Sequence, residues 1–258
     1  MKKLTLFLLL AICNLAQAET KLLVAAASDL QFVFPQLIAD YEAAHPGVKI
    51  DATYGSSGKF YEQIRNGAPF DFFLSADAGF PQKLIVEGKA SKDDFFLYAI
   101  GHLVVWVRKD SPLDLKKNIG VTVDSAVEKV AVANPDHAPY GRAAVAALQK
   151  LGFYDAVKDK LVLGENVVQA AQFAETGAAD VGLIGLSLAL APRMQAEGKY
   201  VEVPLDAYPT LEQGGVVLAT ANIDETRKLK AWLQSDATRI IFQKYGFALP
   251  PKHAEMVP

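Results

Sequence analysis

One pattern constrains this chain more than any other. Four times, a strand-like run ends in a short polar or glycine-rich turn, and the turn opens a helix. The turns are Ala27-Ser28-Asp29, Gly55-Ser56-Ser57-Gly58, Ala138-Pro139-Tyr140-Gly141 and Glu165-Asn166-Val167. A strand followed by a crossover helix and another strand builds a parallel pair, so the repetition points to an α/β fold. Residues 21–27 (KLLVAAA), 48–54 and 70–75 (FDFFLS) read as strands of a first βαβαβ unit. Between the first two, Leu30, Val33, Phe34, Leu37, Ile38 and Tyr41 recur at helix spacing, and Pro46-Gly47 ends that face. Pro35 interrupts it, because an interior proline removes a backbone bond, so the regular helix is expected to start near Phe34.

A second unit follows a long apolar strand over 100–108. Residues 129–133, 161–163 and 181–184 read as strands, with helices over 141–151 and 167–176 ended by Gly152 and Gly177. Residues 215–219 form a further strand, and 224–245 a final helix. Two such units predict two lobes, each a mainly parallel sheet flanked by helices. The chain is expected to cross near Gly101 and near Ala219, giving a first lobe over 19–101, a second over 102–219, and a return to the first over 220–258. Ligands of open α/β sheets bind beyond the carboxyl ends of strands, which here face each other across an interlobe cleft.

The N-terminus reads as a secretory leader. Lys2 and Lys3 precede an apolar stretch over 4–12, and Ala16-Gln17-Ala18 is a small-x-small site with cleavage expected after Ala18. Cys13, the single cysteine, lies within this leader and follows Ile12, where a lipoprotein signal wants a small residue. Two cationic residues ahead of the apolar stretch, and no long acid-poor transit segment, point to the bacterial periplasm. Removing the leader leaves 24 basic and 29 acidic residues, a net charge of −5. Such a chain is a poor electrostatic match for nucleic acid or an anionic membrane.

The same charge means that an anion site here works through local donors. A helix start carries unpaired amides and partial positive charge, so it binds anions without a lysine. The hydroxyls of Ser28, Ser57 and Tyr140 add neutral donors. Each turn alone also reads as ordinary capping or turn chemistry. His45, His102, His137 and His253 lack metal-ligand spacing, and no nucleophile elbow or phosphate-binding loop is present.

The segments AAASDL (25–30), GSSGKFYEQIRNGAPFDFFLSAD (55–77), NPDHAPYGRAA (134–144), ENVVQA (165–170) and YGFALP (245–250) resemble the molybdate-binding proteins of bacterial ABC importers, the ModA family. The resemblance implies a two-lobed, type II-like periplasmic-binding-protein fold with the ligand between the lobes. It implies no catalysis and no cofactor, molybdate or tungstate as the ligand, and as partner an importer permease with its ATPase. It implies a monomer. Carried over by motif, the donors are the hydroxyls and amides of Ser28 and Ser57, an amide within 139–141, and the amide of Val167. Many members place a tyrosine late in the second lobe. Here that position is Gly185, and Tyr140 fits a subgroup with the tyrosine in the third turn, its hydroxyl a direct donor.

Asp29 departs from the family, which often has a neutral residue there. It reads either as an acid favouring the first helical turn, through which only its amide serves the ligand, or as an acceptor for a protonated ligand such as hydrogen phosphate. Lys59 and Arg142 flank two turns and read either as charges that bias the cleft positive or as solvated surface charge. A phosphate or sulfate carrier, and a secreted hydrolase using Ser57 or Asp29, remain as alternative functions.

Overall fold

The computed structural model describes residues 19–219 and 222–251. The leader over 1–18, with its cleavage after Ala18, lies outside the described residues, as does His253.

The chain begins β1 (Thr20–Ala27), α1 (Phe34–Ala44), β2 (Val48–Gly55), α2 (Ser57–Arg65), β3 (Phe72–Ser75), α3 (Gly79–Val86) and β4 (Ala90–Gly101). It continues β5 (Leu103–Arg108), β6 (Val130–Ala133), α4 (Pro139–Lys150), α5 (Tyr154–Val157), β7 (Leu161–Gly164), α6 (Val167–Thr176) and β8 (Val181–Gly185). Then come α7 (Leu186–Ala189), α8 (Pro192–Glu197), β9 (Gly198–Glu202), β10 (Leu211–Leu218), α9 (Ile223–Leu233) and α10 (Asp236–Lys244).

Two five-stranded sheets result, ordered β2-β1-β3-β10-β4 and β7-β6-β8-β5-β9. The two orders are the same topology, β1 standing where β6 stands and β10 where β5 stands. In each sheet the first three strands run parallel and the last two pairings are antiparallel. The expected parallel arrangement therefore holds on one side of each sheet. The strand that arrives from the other lobe inserts in the opposite sense.

These arrivals move the expected crossings. The run over 100–108 is not one strand. Gly101 pairs with Leu211 in the first sheet and Leu103 with Gly185 in the second, so the chain changes sheets at His102. The return comes before Leu211 rather than near Ala219, because β10 already pairs with β3 and β4. The expected lobe boundary at 219 is corrected accordingly: residues 211–218 belong to the first sheet. The long final helix also divides, with the Ser235 hydroxyl capping a new helix through the Thr238 amide (3.4 Å).

Strand periodicity explains the cores. On the first sheet, Leu22, Val24, Ala26, Phe72 and Leu74 face Phe34, Leu37, Tyr41, Leu229 and Phe242. Ala25, Phe73 and Val216 face Phe60, Ile64 and Leu84 on the other side. Both faces are covered, which is why the strands read as continuous apolar runs. Pro35 sits in the first turn of α1, where no amide is needed, and Ser28–Leu30 forms a separate 3-10 turn ahead of it. Among the described residues no helix is long and apolar enough to cross a membrane.

Candidate functional site

The four turns meet. Ser28, Asp29, Ser57, Tyr140 and Val167 all line one cavity between the sheets, together with Ala27, Gly55, Ser56, Ala76 and Asn166. Its volume is about 10 Å³, on the scale of a single water.

Local capping leaves donors directed at this space. Ser56 caps α2 by position, but its side chain makes no cap bond. Its hydroxyl donates instead to the His137 carbonyl of the other lobe (2.6 Å). The next amide, that of Gly58, donates to the same carbonyl (2.9 Å), while the Ser57 amide, first of α2, has no acceptor within its helix. Ala138, at the cap of α4, has no side chain that can accept. Pro139 supplies no amide, so Tyr140 carries the first N–H of that helix. Asn166 caps α6 through the amides of Val168 (3.0 Å) and Gln169 (3.1 Å), one position past Val167. The Ser57 hydroxyl accepts from the Ala76 amide (3.0 Å), which leaves its own proton to donate.

Two glycines make the convergence possible. A side-chain carbon on Gly141 would lie 2.1 Å from the Ala133 carbonyl oxygen, so only glycine lets α4 start this close to β6. A carbon on Gly185 would lie 3.1 Å from the Tyr140 ring. The ring of Tyr140 thus packs directly against the backbone at Gly185.

Beneath the cavity lies a buried polar cluster. Asp29 is 1% exposed. One carboxylate oxygen, Oδ2, accepts from the Gln213 side-chain amide on β10. The Tyr140 hydroxyl is also hydrogen-bonded to the carboxylate. The other oxygen, Oδ1, is buried without a hydrogen-bond partner. Burial pushes the Asp29 carboxyl up to about 6, against the opposing pull of the Gln213 and Tyr140 hydrogen bonds. Burial, and then the Asp29 charge, hold the Tyr140 and Tyr98 hydroxyls well above the usual tyrosine range. Asp29 is therefore not a solvent-facing acid at a helix start, and its turn is only three residues long.

Lys59 and Arg142 do not line the cavity. Both pair across the lobes, Lys59 with Glu165 and Arg142 with Asp77 (2.5 Å). Arg142 lines a wider neighbouring cleft of about 440 Å³ with Asp77, Gln82 and Glu212. Gln213 lies outside the strand expected over 215–219, because β10 begins at Leu211. Ser56 was read only as part of a turn. Among the described residues no group of three or more His, Cys, Asp or Glu is placed to hold a metal ion.

A family model described as bacterial extracellular solute-binding protein matches residues 22–248. The molybdate-binding protein ModA of Rhodobacter capsulatus is 39% identical over 202 residues, covering 78% of each chain. That of Azotobacter vinelandii is 36% identical over 244 residues, covering 92% of each. The solved structure of the Azotobacter vinelandii periplasmic molybdate-binding protein aligns with a TM-score of 0.83 at 30% identity, over 89% of this chain and 100% of that one.

Proposed function

The chain belongs to the bacterial extracellular solute-binding proteins, and from that premise we propose that it captures molybdate and delivers it to an ABC importer. The family is one of carriers rather than enzymes. The observation that carries the choice of ligand is the convergence of four strand-end turns, three of which start α-helices, on one tight cavity whose lining includes no lysine, arginine or histidine among the described residues. The relatives named above as molybdate-binding proteins support the same choice.

On this reading about six neutral donors hold the anion: the hydroxyls and amides of Ser28 and Ser57, and the amides of Tyr140 and Val167; the Tyr140 hydroxyl, expected as a direct donor, is engaged with the Asp29 carboxylate instead. Hydrogen bonds to a charged oxygen are worth roughly 1.5–3 kcal/mol each, enough together to offset the anion's lost hydration. Ser28 and Ser57 belong to the first lobe, Tyr140 and Val167 to the second, so the anion draws the lobes together in a hinge closure. The closed form is what the membrane permease and its ATPase engage. Tungstate, of nearly the same size and charge, shares the site. The protein works as a monomer in the periplasm, after removal of the leader.

Calorimetric titration with molybdate, tungstate, sulfate and phosphate tests this. Molybdate and tungstate are expected to bind far more tightly than the other two, and a comparable response to sulfate would reject the molybdate assignment. Ser57→Ala removes one charged hydrogen bond and should weaken molybdate binding by roughly 10- to 150-fold. Tyr140→Phe, which loosens the Asp29 cluster, should weaken it too. Unchanged affinity in both variants contradicts the site.

A further inference from the structure

Among the described residues Asp29 is the only acid lining the cavity. Its surroundings are neutral on every side. Gln213 of β10 donates to Oδ2, and Tyr140 of α4 shares its hydroxyl with the carboxylate. Ser187 of α7 donates to the Asp29 backbone carbonyl (2.9 Å). Tyr98 of β4 approaches the carboxylate but donates to the Ser75 carbonyl (3.1 Å). Tyr208, ahead of β10, lies beyond Tyr140 and accepts from the Leu103 amide (3.0 Å). No lysine, arginine or histidine pairs with Asp29 among the described residues. An ionised Asp29 would therefore meet an incoming dianion with no cation beside it to screen the repulsion, in a site with room for about one water.

The unpartnered oxygen resolves this conflict. A carboxylate oxygen only accepts, whereas a carboxylic acid also donates through one O–H. Oδ1 is buried, without a partner, on a residue that forms the cavity wall. A proton placed there leaves the Gln213 bond to Oδ2 intact. It removes the negative charge and turns an orphaned acceptor into a donor.

Building on the oxyanion reading above, we propose that capture is proton-linked: as the dianion binds, Asp29 takes one proton from solvent onto Oδ1 and joins the neutral donors of the site. No covalent bond to the anion forms. Asp29 thus acts as a selector of the binding-competent protonation state.

Linkage sets the size of the effect. With the free protein's Asp29 titrating at about 6, each pH unit well above that value weakens binding about tenfold. Between pH 6 and pH 8 the affinity for molybdate should fall about fiftyfold. Proton uptake should approach one per anion at pH 8 and about one half at pH 6.

Titration calorimetry of the full mature protein with sodium molybdate, in buffers of different ionisation enthalpy at pH 6, 7 and 8, reads both quantities. Uptake near one at pH 8, lost in Asp29→Asn together with the pH slope of affinity, is the expected result. Wild-type protein that binds molybdate with no proton uptake and equal affinity at pH 6 and pH 8 overturns the proton linkage while leaving the carrier reading intact. Uptake that persists in Asp29→Asn assigns the proton to another group and also overturns it. Absence of molybdate binding to wild type at every pH overturns the carrier reading itself. The wild-type measurements stand without the variant, and circular dichroism confirms that the variant is folded.

Discussion

Asp29→Asn should make the ligand-free protein more stable at neutral pH. Asp29 is fully buried, and its carboxyl rises from an ordinary value of 3.8 to about 6 because burial disfavours the charge. A group whose value is raised on folding contributes stability that is fully present below its unfolded value. That contribution is lost as the pH climbs through the folded one. Here the loss begins near pH 4 and is complete above pH 6. Its size is the difference between 3.8 and about 6, at about 1.4 kcal/mol per pH unit, or about 3 kcal/mol. Asparagine keeps an acceptor oxygen for Gln213 and Tyr140 but carries no charge, so it escapes this loss. At pH 7.5 the variant should gain up to about 3 kcal/mol. In a chain of this length that corresponds to a rise in Tm of about 6–12 °C. At pH 4 the two proteins should melt together. Thermal and urea denaturation of both proteins without oxyanion, from pH 4 to pH 7.5, gives the comparison. A variant less stable than wild type at pH 7.5, or a gain that is the same at pH 4, refutes the reasoning.

Other perturbations test the closure. In Gly58→Ala the new methyl would lie 2.6 Å from the His137 carbonyl oxygen of the other lobe; small-angle scattering should show no compaction on adding molybdate, with affinity reduced at least tenfold. Ser56→Ala removes the hydroxyl bond to that same carbonyl (2.6 Å), a loss of about 1 kcal/mol, and should weaken molybdate binding about fivefold by calorimetry. Gly185→Leu forces a side chain onto the Tyr140 ring, which stands 3.1 Å from its first carbon; it should lower molybdate affinity more than Leu183→Ile, a swap of equal volume on the same strand.

Much of this molecule is legible in its sequence, for physical reasons that also explain what is not. The strand-turn-helix repeats are local, and residues 167–176 with their terminal Gly177 emerge as read, the glycine adopting a φ of 78°. The meeting of Ser28, Ser57, Tyr140 and Val167 at one cavity follows from the topology, because all four stand where strand ends face across the lobes. The insertion of β5 and β10 is a long-range pairing, and nothing local marks it. Hence the run over 100–108 read as a single strand, although His102 separates two sheets. The environment of Asp29 was hidden for the same reason: Gln213 is 184 positions away along the chain. A charged residue beside Ser28 looked like a helix-start acid, and only the packing of β10 and α4 buries it.

The most direct test of the central claim is a crystal structure grown with molybdate, the molybdenum located by its anomalous scattering. The account predicts one peak between the lobes, with oxyanion oxygens about 2.7–3.1 Å from the Ser28 and Ser57 hydroxyls and from the amides of Tyr140 and Val167. Molybdenum bound instead in the wider cleft beside Arg142, or held chiefly by lysine and arginine side chains, would contradict it.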